Sequence, residues 1–337
     1  MSSEIIPITD RQSWQQALNG LPHALAHTWE YNHALSLRES EAGGEIILWH
    51  FSSGSRHAVC PLLVRSFGGQ RDVITPYGFS GFASDSGETD FLAALRKQAA
   101  REGWVCGYLG LHPVLDERAY SSNELHAASN VYALDLRQSE AELYAAMSSS
   151  IHQKLTAWER SAAGLSFNQD ECRSFFMREY RPFIRRVGAA AGYDFPPAVL
   201  AALCEHPGIL MIGGGALELE AVSVFGWTRD CGEYLFNVST ESGRHHSARL
   251  IWEGMRELKR RGVPVLNLGG GIRPGDGLAQ FKARFGGFSL PLRALKQVYA
   301  NTAFERLCLA AGADAGVREG WFPPYRSPRL VSRECNQ

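Results

Sequence analysis

The chain has 337 residues, of which 45% are hydrophobic and 20% are charged, with a formal net charge of −1. This length predicts two domains of ordinary size, and the composition is typical of a soluble globular protein. We find no apolar run long enough to cross a bilayer and no secretion signal at the start, so we expect a cytoplasmic protein. The seven scattered cysteines form no CxxC pair, which argues against a disulfide framework and a zinc site.

Hydrophobic spacing in the first half predicts helices, then a small sheet, then a helix and two further strands. Helical periodicity covers residues 10–36. Strands are predicted at 46–51, 57–64, 71–75, 104–111 and 131–136, and an amphipathic helix at 88–102. The loop at 75–81, TPYGFSG, joins the third strand to this helix.

The second half shows a similar order of elements. Helices are predicted at 140–163, 171–191, 197–204 and 247–261, and strands at 209–212, 217–227, 233–238 and 263–268. Antiparallel strands, then a helix, then a strand therefore occur twice. This order predicts an α+β fold with mixed sheets and two tandem domains of like topology, residues 1–136 and 137–337.

One stretch, Leu266–Gly287, reads as a strand, a glycine-rich loop and a helix: LNLGGGIRPGDGLAQFKARFGG. Glycine accepts positive φ and carries no side chain, so Gly269, Gly270 and Gly271 would let main-chain N–H groups face a donor ligand. The run fits neither the dinucleotide nor the P-loop motif. A tight turn with no ligand is the alternative interpretation.

Charge is distributed unevenly along the chain. Residues 241–300 hold eleven Lys or Arg and four acids, so this segment carries +7 and the remainder −8. A local positive field favours an anionic ligand such as a phosphate-bearing donor or an RNA acceptor stem. We expect Arg273 and Arg284 to hold donor phosphates, together with Arg244. The three residues 259–261 are more typical of the solvated end of a helix.

The chain contains none of the usual hydrolase motifs. There is no GxSxG, no HExxH and no paired Cys/His arrangement, and His245 and His246 have no partner at metal-ligand spacing. Adjacent histidines before a helix are more often surface or capping residues. These observations disfavour hydrolase and metalloenzyme functions, and we expect no bound metal.

A lysine beyond a glycine loop suits acyl transfer, because the tetrahedral oxyanion of that reaction needs a positive partner. Lys282 occupies this place, and Phe281 would help to exclude water. Asp276 is a candidate base for the attacking amine, with Tyr234 and Glu241 as alternatives. The other interpretation is a core-facing helix with Lys282 on its surface, because Phe281 is followed by another phenylalanine four residues later.

The aromatic loop at 75–81 is a candidate acceptor site. It follows a strand and precedes a helix, and Tyr77 and Ser80 offer a ring and a hydroxyl group to a small ligand. Tyr234 in the second half is a further candidate for contact with the acceptor. An ordinary aromatic turn would have the same appearance, so both interpretations stay open.

Five segments together resemble the FemAB-like branch of the GNAT acyltransferases, and the resemblance covers nearly the whole chain. They are NLGGG at 267–271, DGLAQFKARFGG at 276–287, STESGR at 239–244, TPYGFSG at 75–81 and FPPYR at 322–326. The resemblance implies two tandem GNAT-like domains packed around a shared cleft, and transfer of an aminoacyl or acyl group to an amine. The Phe-Lys pair of the family falls on Phe281 and Lys282.

The resemblance also bears on the donor. A GNAT domain that binds coenzyme A has a pyrophosphate turn, R/Q-x-x-G-x-G/A, and the corresponding stretch GRHHSARL at 243–250 keeps only its first glycine. This departure favours aminoacyl-tRNA over acyl-CoA as co-substrate. No bound cofactor, no DNA partner and no membrane span are expected, and the acceptor would be a small amine-bearing precursor of the cell envelope, a polysaccharide or a natural product. An acyl-CoA-dependent N-acetyltransferase, a non-catalytic nucleotide- or RNA-binding module and a structural protein are the alternatives.

Overall fold

Two compact units make up the chain in the computed structural model, one formed by Met1–Ala128 with Pro291–Gln337 and the other by Ser129–Leu290. We refer to them as unit 1 and unit 2. The structure describes residues 2–85, 87, 89–121, 123–271 and 275–327. The predicted α+β class with two tandem parts is confirmed.

Strands and helices alternate in small groups along the chain. The strands are β1 (Ser2–Pro7), β2 (Glu45–Ser53), β3 (Arg56–Phe67), β4 (Gln70–Ile74), β5 (Ala83–Ser84), β6 (Trp104–Gly110), β7 (Leu125–Asp135), β8 (Gly164–Ser166), β9 (Ile209–Gly215), β10 (Ala221–Trp227), β11 (Gly232–Ser239), β12 (Val265–Gly269) and β13 (Phe288–Val298). The helices are α1 (Arg11–Leu18), α2 (Trp29–Glu39), α3 (Phe91–Glu102), α4 (Glu140–Ala146), α5 (Ser149–Glu159), α6 (Gln169–Val187), α7 (Pro197–Cys204), α8 (Ser247–Arg260), α9 (Gly277–Ala283) and α10 (Asn301–Ala310). Among the described residues, no helix combines the length and apolar character needed to cross a membrane.

The sheet of unit 1 has the strand order β1-β2-β3-β4-β6-β13. Its strands β2, β3 and β4 are antiparallel neighbours, and β4 runs parallel to β6. The intervening helix α3 ends at Gly103, whose φ of 69° is the left-handed conformation that commonly terminates a helix at glycine. Large aromatic side chains, among them Trp49, Phe82 and Phe91, fill the core beneath the sheet.

The C-terminal segment belongs to unit 1, whereas the sequence places everything after residue 136 in one domain. Strand β13 pairs with β6, and its Leu295 is buried in the unit 1 core. The FPPYR segment is held there as well, because Tyr325 donates to buried Asp72 at 2.9 Å and Arg326 donates to the same carboxylate oxygen at 2.7 Å. These long-range contacts follow from tertiary packing, which hydrophobic spacing does not report.

The sheet of unit 2 has the order β7-β12-β11-β10-β9-β8. Strands β9, β10 and β11 form an antiparallel meander, α8 follows, and β12 runs parallel to β11. The sequence β9-β10-β11-α8-β12 thus repeats the sequence β2-β3-β4-α3-β6 of unit 1, as predicted. Helix α8 buries Leu250, Ile251 and Met255 against the sheet, and Gly254 lets it approach Phe225 closely.

Several predicted elements differ from the observed ones. The helix predicted over 140–163 is divided into α4 and α5, because Met147 and Ser148 adopt extended conformations. The strand predicted over 217–227 begins only at Ala221, and Leu217 is fully exposed in the preceding turn. The sequence patterns do not predict the elements β1, β5, β8, β13 and α10.

Candidate active site

Strands β11 and β12 leave an opening in the sheet of unit 2. Among the described residues they pair only at Gly232 with Leu266 and at Glu233 with Asn267. Strand β12 then ends at Gly269, whose φ of 73° turns the chain away in a conformation that favours glycine. The equivalent strands of unit 1, β4 and β6, pair at three positions spread along β4 and therefore stay together.

Helix α9 places Lys282 at this opening. Asp276 caps the helix by accepting a hydrogen bond from the Ala279 N–H at 2.8 Å. Lys282, only 8% exposed, then donates from Nζ to the Gly270 carbonyl at 2.8 Å and lies 5.9 Å from the centroid of the Tyr234 ring.

Burial changes the chemistry of this lysine. Loss of solvation lowers the pKa of Lys282 from 10.5 to about 8, although the nearby Asp276 carboxylate acts in the opposite direction. Burial also raises the pKa of Tyr234, so its hydroxyl group keeps its proton. A lysine with this pKa exchanges its proton readily near neutral pH, which is the property required of a group that assists acyl transfer.

The glycines of the loop allow the chain to pack closely around Lys282. A Cβ atom on Gly270 would lie 2.4 Å from the Asn130 carbonyl oxygen, and one on Gly271 would lie 2.2 Å from Asp276 Oδ1. These contacts leave no room for a side chain. The two glycines therefore bring α9 and its lysine against the strand end, whereas their predicted contact with a donor stays a prediction.

Phe281 and Phe285 have different surroundings. Phe285 is buried in the core of unit 2, and Phe281 packs on it edge-to-face with a centroid separation of 5.4 Å. Phe281 is only partly buried, and Lys154 Nζ lies 5.1 Å from its ring centroid. The core-facing interpretation of this helix is therefore correct for Phe285, and Phe281 packs against the same core while it also lines a pocket. Its placement of Lys282 on the surface is wrong, because that side chain is buried.

This pocket, which we call the α5–α8 pocket, has a volume of about 190 Å³. Two cationic side chains line it: Lys154 from α5 and Arg244 from the 3-10 helix Ser242–His246 that precedes α8. The rings of Trp158 and Phe281 supply its aromatic walls. Cations beside flat aromatic surfaces suit the phosphates and bases of a nucleic acid.

A hydrogen-bonded chain lies behind the pocket. The indole Nε1–H of Trp158 donates to His246 Nδ1 at 2.8 Å, and His246 Nε2 lies 2.9 Å from Glu220 Oε2. Ser242 donates to the other carboxylate oxygen of Glu220 at 2.8 Å. These two hydrogen bonds lower the pKa of Glu220, while burial lowers the pKa of His246 and so favours a neutral ring.

Glu220, His245 and His246 lie close enough to raise the question of a metal site, with ligand atoms within 4.8 Å of one another. Glu220 is thus an acidic neighbour of the histidine pair that the sequence spacing does not reveal. However, an indole N–H can only donate, so His246 Nδ1 accepts and its proton lies on Nε2. The Nε2 atom that faces Glu220 therefore has no lone pair for a metal ion in this arrangement.

The remaining predicted residues are dispersed. Arg284 is exposed at the end of α9, Arg244 lines the α5–α8 pocket, and Arg273 lies outside the described residues. Tyr77 and Ser80 lie in unit 1, whereas Lys282 lies in unit 2. The Ser80 hydroxyl group is buried and makes no hydrogen bond within the described part of the chain.

Sequence reasoning missed three residues of this region, Lys154, Trp158 and Glu220. The first two are four residues apart on α5, a spacing that places them on one helix face. That periodicity signals a common face but not which element covers it. Glu220 precedes β10 and contacts His246 only through the fold.

No protein-family model and no curated protein sequence matches the chain. Solved structures do match. FemX aligns with 91% of this chain and 99% of its own at a TM-score of 0.69 and 11% identity. The chain has a FemX-like fold.

Two further solved structures share this fold. L-PGS from Bacillus licheniformis aligns at a TM-score of 0.58 and 12% identity, with 88% of this chain and 94% of its own covered. The C-terminal domain of a putative lysylphosphatidylglycerol synthetase from Agrobacterium fabrum aligns at 0.52 and 15% identity, with 86% and 94% covered. The predicted resemblance to FemAB-like proteins is thus confirmed at the level of the fold.

Proposed function

We propose that this protein is an N-acyltransferase that moves an aminoacyl group from aminoacyl-tRNA to an amine. The observation that carries this proposal is Lys282, a buried lysine of lowered pKa at the opening between β11 and β12. A buried cation without a strong partner costs folding free energy, and Lys282 donates a hydrogen bond to a neutral carbonyl, that of Gly270. A function at this position would explain why the charge is kept there. The FemX-like fold is consistent with this activity.

In the proposed reaction the acceptor amine attacks the ester carbonyl carbon of the donor. A C–N bond forms, the ester C–O bond breaks, the amine loses one proton and the leaving tRNA oxygen gains one. Lys282 stabilises the oxyanion of the tetrahedral intermediate with its ammonium group and supplies the proton that the leaving oxygen needs. Asp276 stays our predicted base, acting through a water molecule, since its Oδ1 already caps α9.

The α5–α8 pocket supports a nucleic-acid donor. Lys154 and Arg244 place positive charge beside the rings of Trp158 and Phe281, so phosphates and bases would find complementary groups. Phe281 belongs both to this pocket and to the helix that carries Lys282. The 3′ end of a tRNA held in the pocket would therefore contact α9, the helix that carries the proposed catalytic residue Lys282. We place the reaction in the cytoplasm, where charged tRNA is available.

The surroundings of Gly243 argue against an ordinary coenzyme A site. A Cβ atom there would lie 2.0 Å from the Glu220 carbonyl oxygen, so this glycine serves close backbone packing. The residues that follow form a 3-10 helix up to His246. Acyl-CoA remains the second candidate donor, because its phosphates would also suit the cations of the pocket.

The acceptor in our proposal is an amine of a cell-envelope, polysaccharide or natural-product precursor, and Tyr234 is the residue of unit 2 that would contact it. The contact of Tyr77 and Ser80 in unit 1 with an acceptor stays a separate prediction. The centroid of the Tyr234 ring lies 5.9 Å from Lys282 Nζ. One structural neighbour is named as a putative lysylphosphatidylglycerol synthetase. Phosphatidylglycerol offers a hydroxyl group in place of an amine, so vesicles of this lipid are included in the test as an alternative acceptor that would give an ester.

The test mixes purified protein with radiolabelled aminoacyl-tRNAs or acyl-CoAs and, separately, amino acids, amino sugars, nucleotide-linked peptides and phosphatidylglycerol vesicles. We expect an amide product from aminoacyl-tRNA, and a loss of about 100-fold or more in kcat for Lys282→Met, as for removal of one oxyanion partner. Lys97→Met, which alters an exposed lysine of α3, is the matched control and should keep full activity. Donor binding without any product would instead indicate a non-catalytic module, and product from acyl-CoA alone would transfer the proposal to that donor.

A further inference from the structure

The hydrogen-bonded chain behind the α5–α8 pocket fixes one orientation of the Trp158 ring. The indole N–H has a single acceptor in the described structure, His246 Nδ1 at 2.8 Å. His246 must then carry its proton on Nε2 and donate it to Glu220. Only this tautomer satisfies both contacts, and the negative charge of Glu220 stabilises it.

The face of the same ring is held independently. The Arg249 guanidinium lies 4.8 Å from the Trp158 ring centroid and is fixed by ion pairs of 2.8 Å to Glu159 and to Glu253. A cation over a ring face restrains the ring plane but allows rotation within that plane. The hydrogen bond to His246 removes this remaining rotation.

Glu220 and His246 do not line the pocket, whereas Trp158 does. These two residues reach a ligand in the pocket through the indole ring of Trp158, or through His245, which lines the pocket and whose ring centroid lies 3.9 Å from that of His246. A Trp158→Phe background separates the two routes. We propose that His246, held by Glu220, is a positioning residue that sets Trp158 as the stacking wall for the nucleotide end of the donor. This inference rests on the proposed function for the identity of the ligand.

Two substitutions of His246 separate its two contacts. Asparagine has its amide group at the distance of Nδ1 from the backbone, so His246→Asn retains an acceptor for Trp158. Glutamine reaches the position of Nε2, so His246→Gln retains the partner of Glu220 and loses the acceptor for the indole. Both variants carry the same amide group, at the position of one ring nitrogen or of the other, which makes them matched controls for each other.

The readouts are the indole ¹H–¹⁵N signal of Trp158, assigned with Trp158→Phe, and the Kd for two probes, the trinucleotide CCA and coenzyme A. We expect His246→Asn to keep the indole signal and to bind CCA within about twofold of wild type. We expect His246→Gln to shift the signal and to weaken CCA binding about tenfold, since a buried donor without a partner is costly. When Trp158→Phe is also present, the proteins with His246→Asn and with His246→Gln should bind CCA with equal Kd.

Equal binding by the two single variants, or a difference that persists in the Trp158→Phe background, would overturn the inference. Wild-type protein that binds neither probe would also overturn it. If CCA binds with the expected pattern but no product forms in the transfer assay, the positioning role stands and only the proposed function fails. Binding of coenzyme A with the same pattern would support the positioning role and move the donor assignment.

Discussion

Replacing Lys282 with methionine should stabilise the protein near neutral pH while it removes activity. Methionine has a similar length and shape but carries no charge to desolvate. The pKa of Lys282 is lowered from 10.5 to about 8, chiefly by burial. At pH 7 the lysine is protonated in both the folded and the unfolded states, so the full cost of the buried charge is present.

The size of the effect follows from the pKa. One pKa unit corresponds to about 1.4 kcal/mol, so the buried charge lowers the free energy of unfolding by about 3 kcal/mol. Methionine removes this cost but leaves the Gly270 carbonyl without its donor, which costs about 1 to 3 kcal/mol. The net result at pH 7 is a free energy of unfolding higher by about 0 to 2 kcal/mol, the difference between these two effects.

The pH dependence gives the sharper test. Between pH 8 and 10.5 Lys282 loses its proton in the folded state before it does so in the unfolded state, so the contribution of Lys282 to the free energy of unfolding rises with pH. Urea unfolding at pH 7 and pH 10 should therefore show wild type gaining about 2 to 3 kcal/mol relative to Lys282→Met. Parallel behaviour of the two proteins would refute the assignment of a buried, weakly basic lysine. Lys97→Met, in an exposed position, should parallel wild type.

Three further predictions concern packing, acid stability and the charged pocket. Gly254→Ala should lower the free energy of unfolding by about 1 to 3 kcal/mol, because its Cβ atom would lie 2.1 Å from the Phe225 ring. This clash outweighs the better helix propensity of alanine, and stabilisation in urea melts would contradict the prediction. The free energy of unfolding should fall as the pH drops below 6.5, because the pKa of His246 is lowered in the folded state and the unfolded state binds the proton first. His246→Asn should therefore flatten the dependence of Tm on pH between pH 7.5 and 5.5, and an unchanged slope would count against this role of His246. Lys154→Ala and Arg244→Ala should each reduce the salt slope of oligonucleotide binding by about one, and a slope equal to that of wild type would exclude contact with phosphate.

The elements with a strong apolar period could be predicted from the sequence. The sequence predicts a helix over 247–261, and α8 spans Ser247–Arg260, because its buried face recurs at helical spacing. The break between α4 and α5 carries no proline or glycine, so periodicity continued through it. Strand β13 contains Pro291 and pairs with β6 through residues far away in the sequence, which local patterns do not encode.

The candidate site could be predicted only where its residues are local. The glycines, Asp276, Phe281 and Lys282 lie in one continuous stretch, and the structure brings them together around α9. The charge excess of 241–300 is a poorer guide to cations that face a ligand, because many of these Lys and Arg side chains form ion pairs or hydrogen bonds within the protein. Lys259, for example, lies at the end of α8 and donates to the Leu136 and Gln138 carbonyls.

The most direct test of the account is product formation by wild type and Lys282→Met, measured by mass spectrometry with charged tRNA and the acceptor panel. The account predicts an aminoacyl amide from wild type, with kcat reduced about 100-fold or more in a folded variant that still binds the CCA trinucleotide. Full activity in Lys282→Met, or no product from wild type with any donor and acceptor of the panel, would contradict the proposed acyl transfer.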